Sequence, residues 1–252
     1  MKKRILIIIS LSCLMLLNYG CSNKITMENE NTKIIENDKS KSASKATKAK
    51  PIPIKYSKKE TKYEKPKMLK KGSISKIVKE KDIGNGRVII FEKNREYFNA
   101  AFERDKKIYD LGAVSENFLS DIILLSINET KIGEKELVRI DGVFGANCAQ
   151  SNYFMIDGSS PVKFLTLDGN VTEMDLDKDG KTEIVTSSGT GAQTFIYKCT
   201  DENILVADVN KTLGNAIAVI YRNNYFEAYY KDKANVPMYF KYTKDGFIPE
   251  ES

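Results

Sequence analysis

Histidine and tryptophan are absent from this chain of 252 residues, and cysteine, with four, and proline, with six, are scarce. Without histidine there is no Ser-His-Asp triad, no Cys-His pair, no imidazole general base and no His-ligated zinc, haem or copper. Two of the four cysteines, Cys13 and Cys21, fall in the first 21 residues, so the remainder of the chain cannot build a zinc site from thiolates alone. The longest apolar stretch, residues 5–17, is short of the roughly 20 residues that a spanning helix needs.

That stretch has another use. Met1, Lys2, Lys3 and Arg4 give a basic start, the apolar run follows, and a polar tail begins after Cys21. This is the layout of a secretory leader. Gly20 followed by Cys21 resembles the signal of bacterial lipoproteins, in which a small residue precedes the cysteine that accepts diacylglycerol and becomes the first residue after cleavage. The resemblance implies a signal peptide over 1–20, acylation of Cys21, and an exported protein held on the bacterial membrane by its lipid, with the body outside the cytoplasm.

The net charge of +6 hides a division. Residues 22–81 hold 18 lysines against 7 acidic residues, whereas residues 82–252 hold 19 Lys+Arg against 27 Asp+Glu. Residues 21–71, rich in Lys, Ser, Asn, Glu and Thr and including Pro51, Pro53 and Pro66, are expected to form a disordered tether. Its positive charge suits anionic headgroups or anionic wall polymers outside a cell, and an exported protein has no nucleic-acid partner.

From residue 72 to 252 short apolar runs alternate with Gly, Asp and Asn turns. Residues 87–92, 136–140, 153–156, 162–167, 183–186, 194–198, 204–206, 216–221, 225–230 and 238–242 all read as strands. Residues 115–127 fit a short helix or a buried strand. Aromatic residues followed by a turn and a second strand recur near Phe98, Phe154, Phe195 and Phe226, which suggests four small antiparallel units. The body is therefore expected to be predominantly β, either a small propeller-like array or a β-sandwich.

The sharpest local motif is Asp175-Leu176-Asp177-Lys178-Asp179-Gly180-Lys181-Thr182-Glu183. Carboxylates at positions 1, 3 and 5 converge when the chain curls, Gly180 permits the sharp turn, Lys181 offers a backbone carbonyl, and Glu183 stands at position 9. Oxygen-only donors select a hard cation, and Ca²⁺ in a structural role is expected. Position 12 is Thr186, and a strand follows in place of a helix, which excludes an EF-hand. The motif resembles the calcium loop of FG-GAP and VCBS-type repeats on Asp175, Asp177, Asp179, Gly180, Glu183, Ile184-Val185 and Gly189, with Phe144-Gly145-Ala146 loosely similar to that family's Phe-Gly signature. The resemblance implies propeller blades whose hairpins are stiffened by bound calcium.

Cys148 and Cys199 remain in the body, and export permits either a disulfide between them or two free thiols. Asp141, Asp157 and Asp168 are the carboxylates available for glycoside chemistry, but nothing in the sequence pairs two of them. The glycine-rich segment 187–193 lacks the Lys-[Ser/Thr] ending of a phosphate loop and reads as a turn. Together these features favour a non-catalytic surface lipoprotein whose body binds a protein or polysaccharide; a carboxylate-dependent surface hydrolase is the alternative.

Overall fold

The computed structural model describes residues 49–250, apart from 62, 71, 85, 118, 146–147, 157–159, 189–191 and 201. The leader, Cys13, Cys21, Asp157, Gly189 and tether residues 21–48 lie outside the described residues. The body is all-β, as expected, and consists of four successive antiparallel sheets.

One strand, β1 (Ser57–Lys59), precedes them all. Sheet 1 is formed by β2 (Ile77–Ile83), β3 (Gly86–Glu92), β4 (Tyr97–Arg104) and β5 (Lys107–Glu116). Sheet 2 is formed by β6 (Ser126–Ile132), β7 (Lys135–Phe144), β8 (Cys148–Met155) and β9 (Val162–Asp168). Sheet 3 takes β10 (Asn170–Met174), β11 (Glu183–Ser188), β12 (Gln193–Cys199) and β13 (Ile204–Asp208), and adds β1 beside β13. Sheet 4 takes β14 (Ala218–Arg222), β15 (Tyr225–Tyr230), β16 (Lys233–Thr243) and β17 (Gly246–Glu250). A 3-10 segment, Leu119–Leu124, joins the first two sheets, so residues 115–127 run from strand through helical turn to strand. The short helix α1 (Val209–Thr212) joins the last two, capped by the Asp208 side chain, which accepts from the Lys211 N–H at 3.0 Å.

Each of the ten expected strands overlaps an observed one. The four repeat phenylalanines fall one to a sheet: Phe98 on β4, Phe154 on β8, Phe195 on β12 and Phe226 on β15. Four successive meandering sheets fit the expected all-β body of short antiparallel strands.

Three apolar clusters join consecutive sheets. Val88, Ile90, Phe98 and Phe102 of sheet 1 meet Ile127, Ile140 and Phe154 of sheet 2. Leu137, Tyr153 and Leu167 of sheet 2 meet Ile184 and Tyr197 of sheet 3. Val185 and Ile196 of sheet 3 meet Phe226, Phe240 and Phe247 of sheet 4. Strand periodicity explains why Val138 and Leu137, or Val185 and Ile184, serve different clusters: neighbours along a strand point to opposite faces. The seam between sheets 1 and 2 is close at Gly142, where a Cβ would lie 2.0 Å from the Val114 carbonyl oxygen. Beside it the Ser115 hydroxyl donates to the Val143 carbonyl at 3.0 Å and accepts from the Val143 N–H at 3.1 Å.

The tether expectation is corrected for residues 49–70, which form a strap along the last strand of every sheet in reverse order. Ile52 bridges Phe247 on β17, Ser57–Lys59 pair with β13, Glu64 bridges Lys163 on β9, and Met68 bridges Tyr109 on β5. The described residues before 72 therefore pack with the sheets and belong to the body. The physical reason is a period-2 pattern that the lysine-rich composition masks: Ile52, Ile54 and Tyr56 are partly buried against the sheet 3–sheet 4 core, while Pro53, Lys55 and Ser57 face solvent. Edge strands tolerate both lysine and proline.

Candidate functional site

The acidic loop closes the hairpin between β10 and β11. Its own side chains hold its shape. Asp175 accepts from the N–H groups of Asp179 at 3.0 Å and Gly180 at 2.9 Å, and Asp179 accepts from the Lys181 N–H at 2.8 Å. Gly180 has φ of 86°, a left-handed conformation that a side chain disfavours. Glu183, on β11, turns back to accept from the Leu176 N–H at 2.9 Å.

Carboxylate oxygens of Asp175, Asp177 and Glu183 lie within 4.8 Å of one another, so this triad can hold a metal ion. The Asp177 and Glu183 side chains are only 5% and 3% exposed. Oxygen donors gathered at this spacing, two of them nearly sealed from water, suit a hard divalent cation. Of the five residues that the sequence nominates, the structure gathers these three; the Asp179 carboxylate turns to Lys181, and Lys181 is exposed.

Sequence reasoning missed the cation already facing the triad. Lys198, on the adjacent strand β12, places its ammonium 2.6 Å from Asp177 and 3.4 Å from Glu183. The same ammonium lies 5.9 Å from the ring centre of Tyr56 and 5.5 Å from that of Tyr242, within cation–π range. The two phenol hydroxyls are hydrogen-bonded to each other at 2.8 Å. Burial disfavours the charge on Lys198, but the hydrogen bond to Asp177, then Tyr242 and the Glu183 charge, outweigh it and hold its pKa above the usual lysine value. Burial pushes the Glu183 pKa up, opposed by the Leu176 N–H and by Lys198. No signal within the loop points to Lys198, because β-pairing brings it there from across the sheet.

A second polar cluster lies between sheets 2 and 3. Arg139 on β7 pairs with Asp141 at 3.0 Å and with Glu173 of β10 at 2.7 Å. Asp141 also accepts from the hydroxyls of Ser126 at 2.5 Å and Ser151 at 2.6 Å. Glu173 accepts from Thr130 at 2.5 Å and Tyr153 at 2.8 Å. Burial lowers the Arg139 pKa, but the Asp141 and Glu173 charges outweigh it and raise it. A cavity of about 340 Å³ adjoins Arg139, Asp141 and Ser151. Asp168 stands apart from this cluster and accepts from Gln150 at 2.9 Å.

The disulfide alternative for Cys148 and Cys199 is corrected: both thiols are free, Cys148 exposed at the start of β8 and Cys199 buried at the end of β12, in a different sheet. Burial pushes the Cys199 thiol up to about 12. The glycine-rich segment sits at the β11–β12 hairpin, with Ser187 and Ser188 ending one strand and Gln193 opening the next. Among the described residues no helix is long and apolar enough to cross a membrane. Comparison of the chain with protein-family models, curated proteins and solved structures returns no match.

Proposed function

We propose that this chain is an exported lipoprotein, anchored to the bacterial membrane through acylated Cys21, whose all-β body is a calcium-stabilised, non-catalytic binding module for a protein or polysaccharide at the cell surface. The convergence of Asp175, Asp177 and Glu183 is the observation that carries the calcium reading. The ion would be held by those carboxylates and would tie the β10–β11 hairpin to its own loop. The FG-GAP and VCBS likeness rests on this same loop. The layout of the leader supports the anchor.

The strap supports a role for its lysines. Lys55, Lys58, Lys65, Lys67 and Lys70 are all exposed along it, fixed on the outer strands of an acidic body. Such a row of cations favours anionic headgroups or wall polymers.

The arrangement of Asp141 and Glu173 favours binding over hydrolysis. Glycoside cleavage needs one carboxyl that stays protonated as an acid. Here Arg139 contacts both groups, and the hydroxyls of Ser126, Ser151, Thr130 and Tyr153 donate to their oxygens, so neither carboxyl is left facing a substrate to protonate a leaving oxygen.

Calorimetric titration of the protein with calcium tests the central part of this reading. One site per chain, lost in Asp177→Ala, is expected; no heat at millimolar calcium, the weak end of extracellular sites, would contradict it.

A further inference from the structure

The candidate metal site and the strap meet at one side chain, and that contact has a consequence for how the site is controlled. Lys198 is the only basic side chain paired with the triad among the described ion pairs, and it contacts the two most buried members, Asp177 and Glu183. Its ammonium also lies within cation–π range of both Tyr56 and Tyr242. Tyr56 belongs to the strap, one residue before β1, and its hydroxyl is tied to Tyr242 of sheet 4.

We propose that Lys198 and a divalent cation compete for Asp177 and Glu183, and that strap docking, by seating Tyr56 against Lys198, opposes metal binding. This rests on the calcium reading above and adds its regulation. An ion among the three carboxylates would take the partners that hold the ammonium in place and would repel it at close range. Lys198 would then move away from the two tyrosine rings, and the strap would lose the cation–π contact made by Tyr56. The coupling runs both ways: the factor by which the docked strap weakens calcium binding equals the factor by which calcium weakens strap docking. The site then responds to whatever pulls on or covers the strap, including anionic polymer gathered by its lysines.

Two measurements on the full chain test this. The first is calcium affinity by calorimetry in the wild type, in Lys198→Met and in Tyr56→Ala. Lys198→Met should bind about tenfold more tightly or better, a typical size for a coupling between sites, and Tyr56→Ala should also bind more tightly than the wild type. The second needs no substitution: amide hydrogen exchange across Ser57–Lys59, which pair with Val206, Leu205 and Ile204. Calcium should speed exchange there in the wild type, and it should leave the Leu137–Met155 pairing of sheet 2 unchanged. Equal affinities in all three proteins, with no change in strap exchange, would overturn the competition while leaving the calcium site standing. Absence of calcium binding in every protein, Lys198→Met included, would overturn both.

Discussion

Lys198 reaches from β12 to within 2.6 Å of Asp177, so a lysine of the neighbouring strand neutralises part of the charge that the acidic loop concentrates. The pair is largely withdrawn from water, with Lys198 23% and Asp177 5% exposed. Removing one partner of such a pair leaves the other charge poorly compensated. Lys198→Met measured without divalent cation should therefore destabilise the fold by about 2 kcal/mol, somewhat below the 3–5 kcal/mol of a fully buried pair. Urea unfolding in the presence of a chelator measures it.

The strap contributes stability. Outside the β1 ladder its described residues make five backbone hydrogen bonds to the sheets: Ile52 to Phe247 in both directions, Lys163 to Glu64, Leu69 to Ile108 and Asp110 to Lys67. At about 1 kcal/mol net for each, less the entropy the freed segment regains, a chain beginning at Gly72 should lose about 2–4 kcal/mol. It should also self-associate, because the outer strands of four sheets lose their cover. Thermal unfolding and sedimentation velocity check both outcomes.

The seam between sheets 1 and 2 has no space for a side chain at position 142. In Gly142→Ala the new methyl would meet the Val114 carbonyl oxygen at 2.0 Å and the Ser115 Cβ at 2.8 Å, and backbone must shift to admit it. A loss near the top of the 1–3 kcal/mol range for overpacking, about 3 kcal/mol, is expected in denaturant melts.

The two body thiols should differ in reactivity. Cys148 is exposed, and Cys199 is buried with its thiol pushed up to about 12. Since the thiolate is the reactive form, a native chain beginning at Asn23 should react at one thiol near pH 8 and at two after denaturation. Cys148→Ser should abolish the native reaction. The sign follows from burial: for Cys199 only unfolding, or a pH close to 12, would expose a reactive thiolate.

Acylation is tested at Cys21. A labelled fatty-acid analogue should tag the wild-type chain in growing bacteria and leave Cys21→Ser unlabelled. Equal labelling of the two would contradict the anchor.

Much of the fold was legible because most core strands are dense in β-branched and aromatic residues, as in Arg87–Glu92 within β3 and Tyr225–Tyr230 in β15. β4 escaped although buried, because its centre is Asn99, Ala100 and Ala101 and not β-branched residues; others escaped because exposure dilutes the signal. β2, with the sequence IVKEKDI, lies at the edge of sheet 1 and buries only Ile83 fully, so it is not among the ten expected strands. The strap escaped for the same reason: Ile52, Ile54 and Tyr56 alternate correctly, yet lysines and prolines surround them. The acidic loop was legible because its carboxylates fall within nine residues of sequence. Lys198 and Tyr56 were not, because pairing of β11 with β12 and docking of the strap, both long-range events, place them at the loop.

The most direct test of the account is the melting temperature of the wild type and of Asp177→Ala, each in chelator, in millimolar calcium and in millimolar magnesium. A ligand that binds only the native state adds about 2.7 kcal/mol at a hundredfold excess over its Kd. Calcium should raise the wild-type midpoint by several degrees, magnesium should raise it less because it resists a flexible oxygen site, and Asp177→Ala should respond to neither. A wild-type midpoint unmoved by calcium would make the loop an acidic turn neutralised by Lys198 alone, and the calcium-stabilised module would be contradicted.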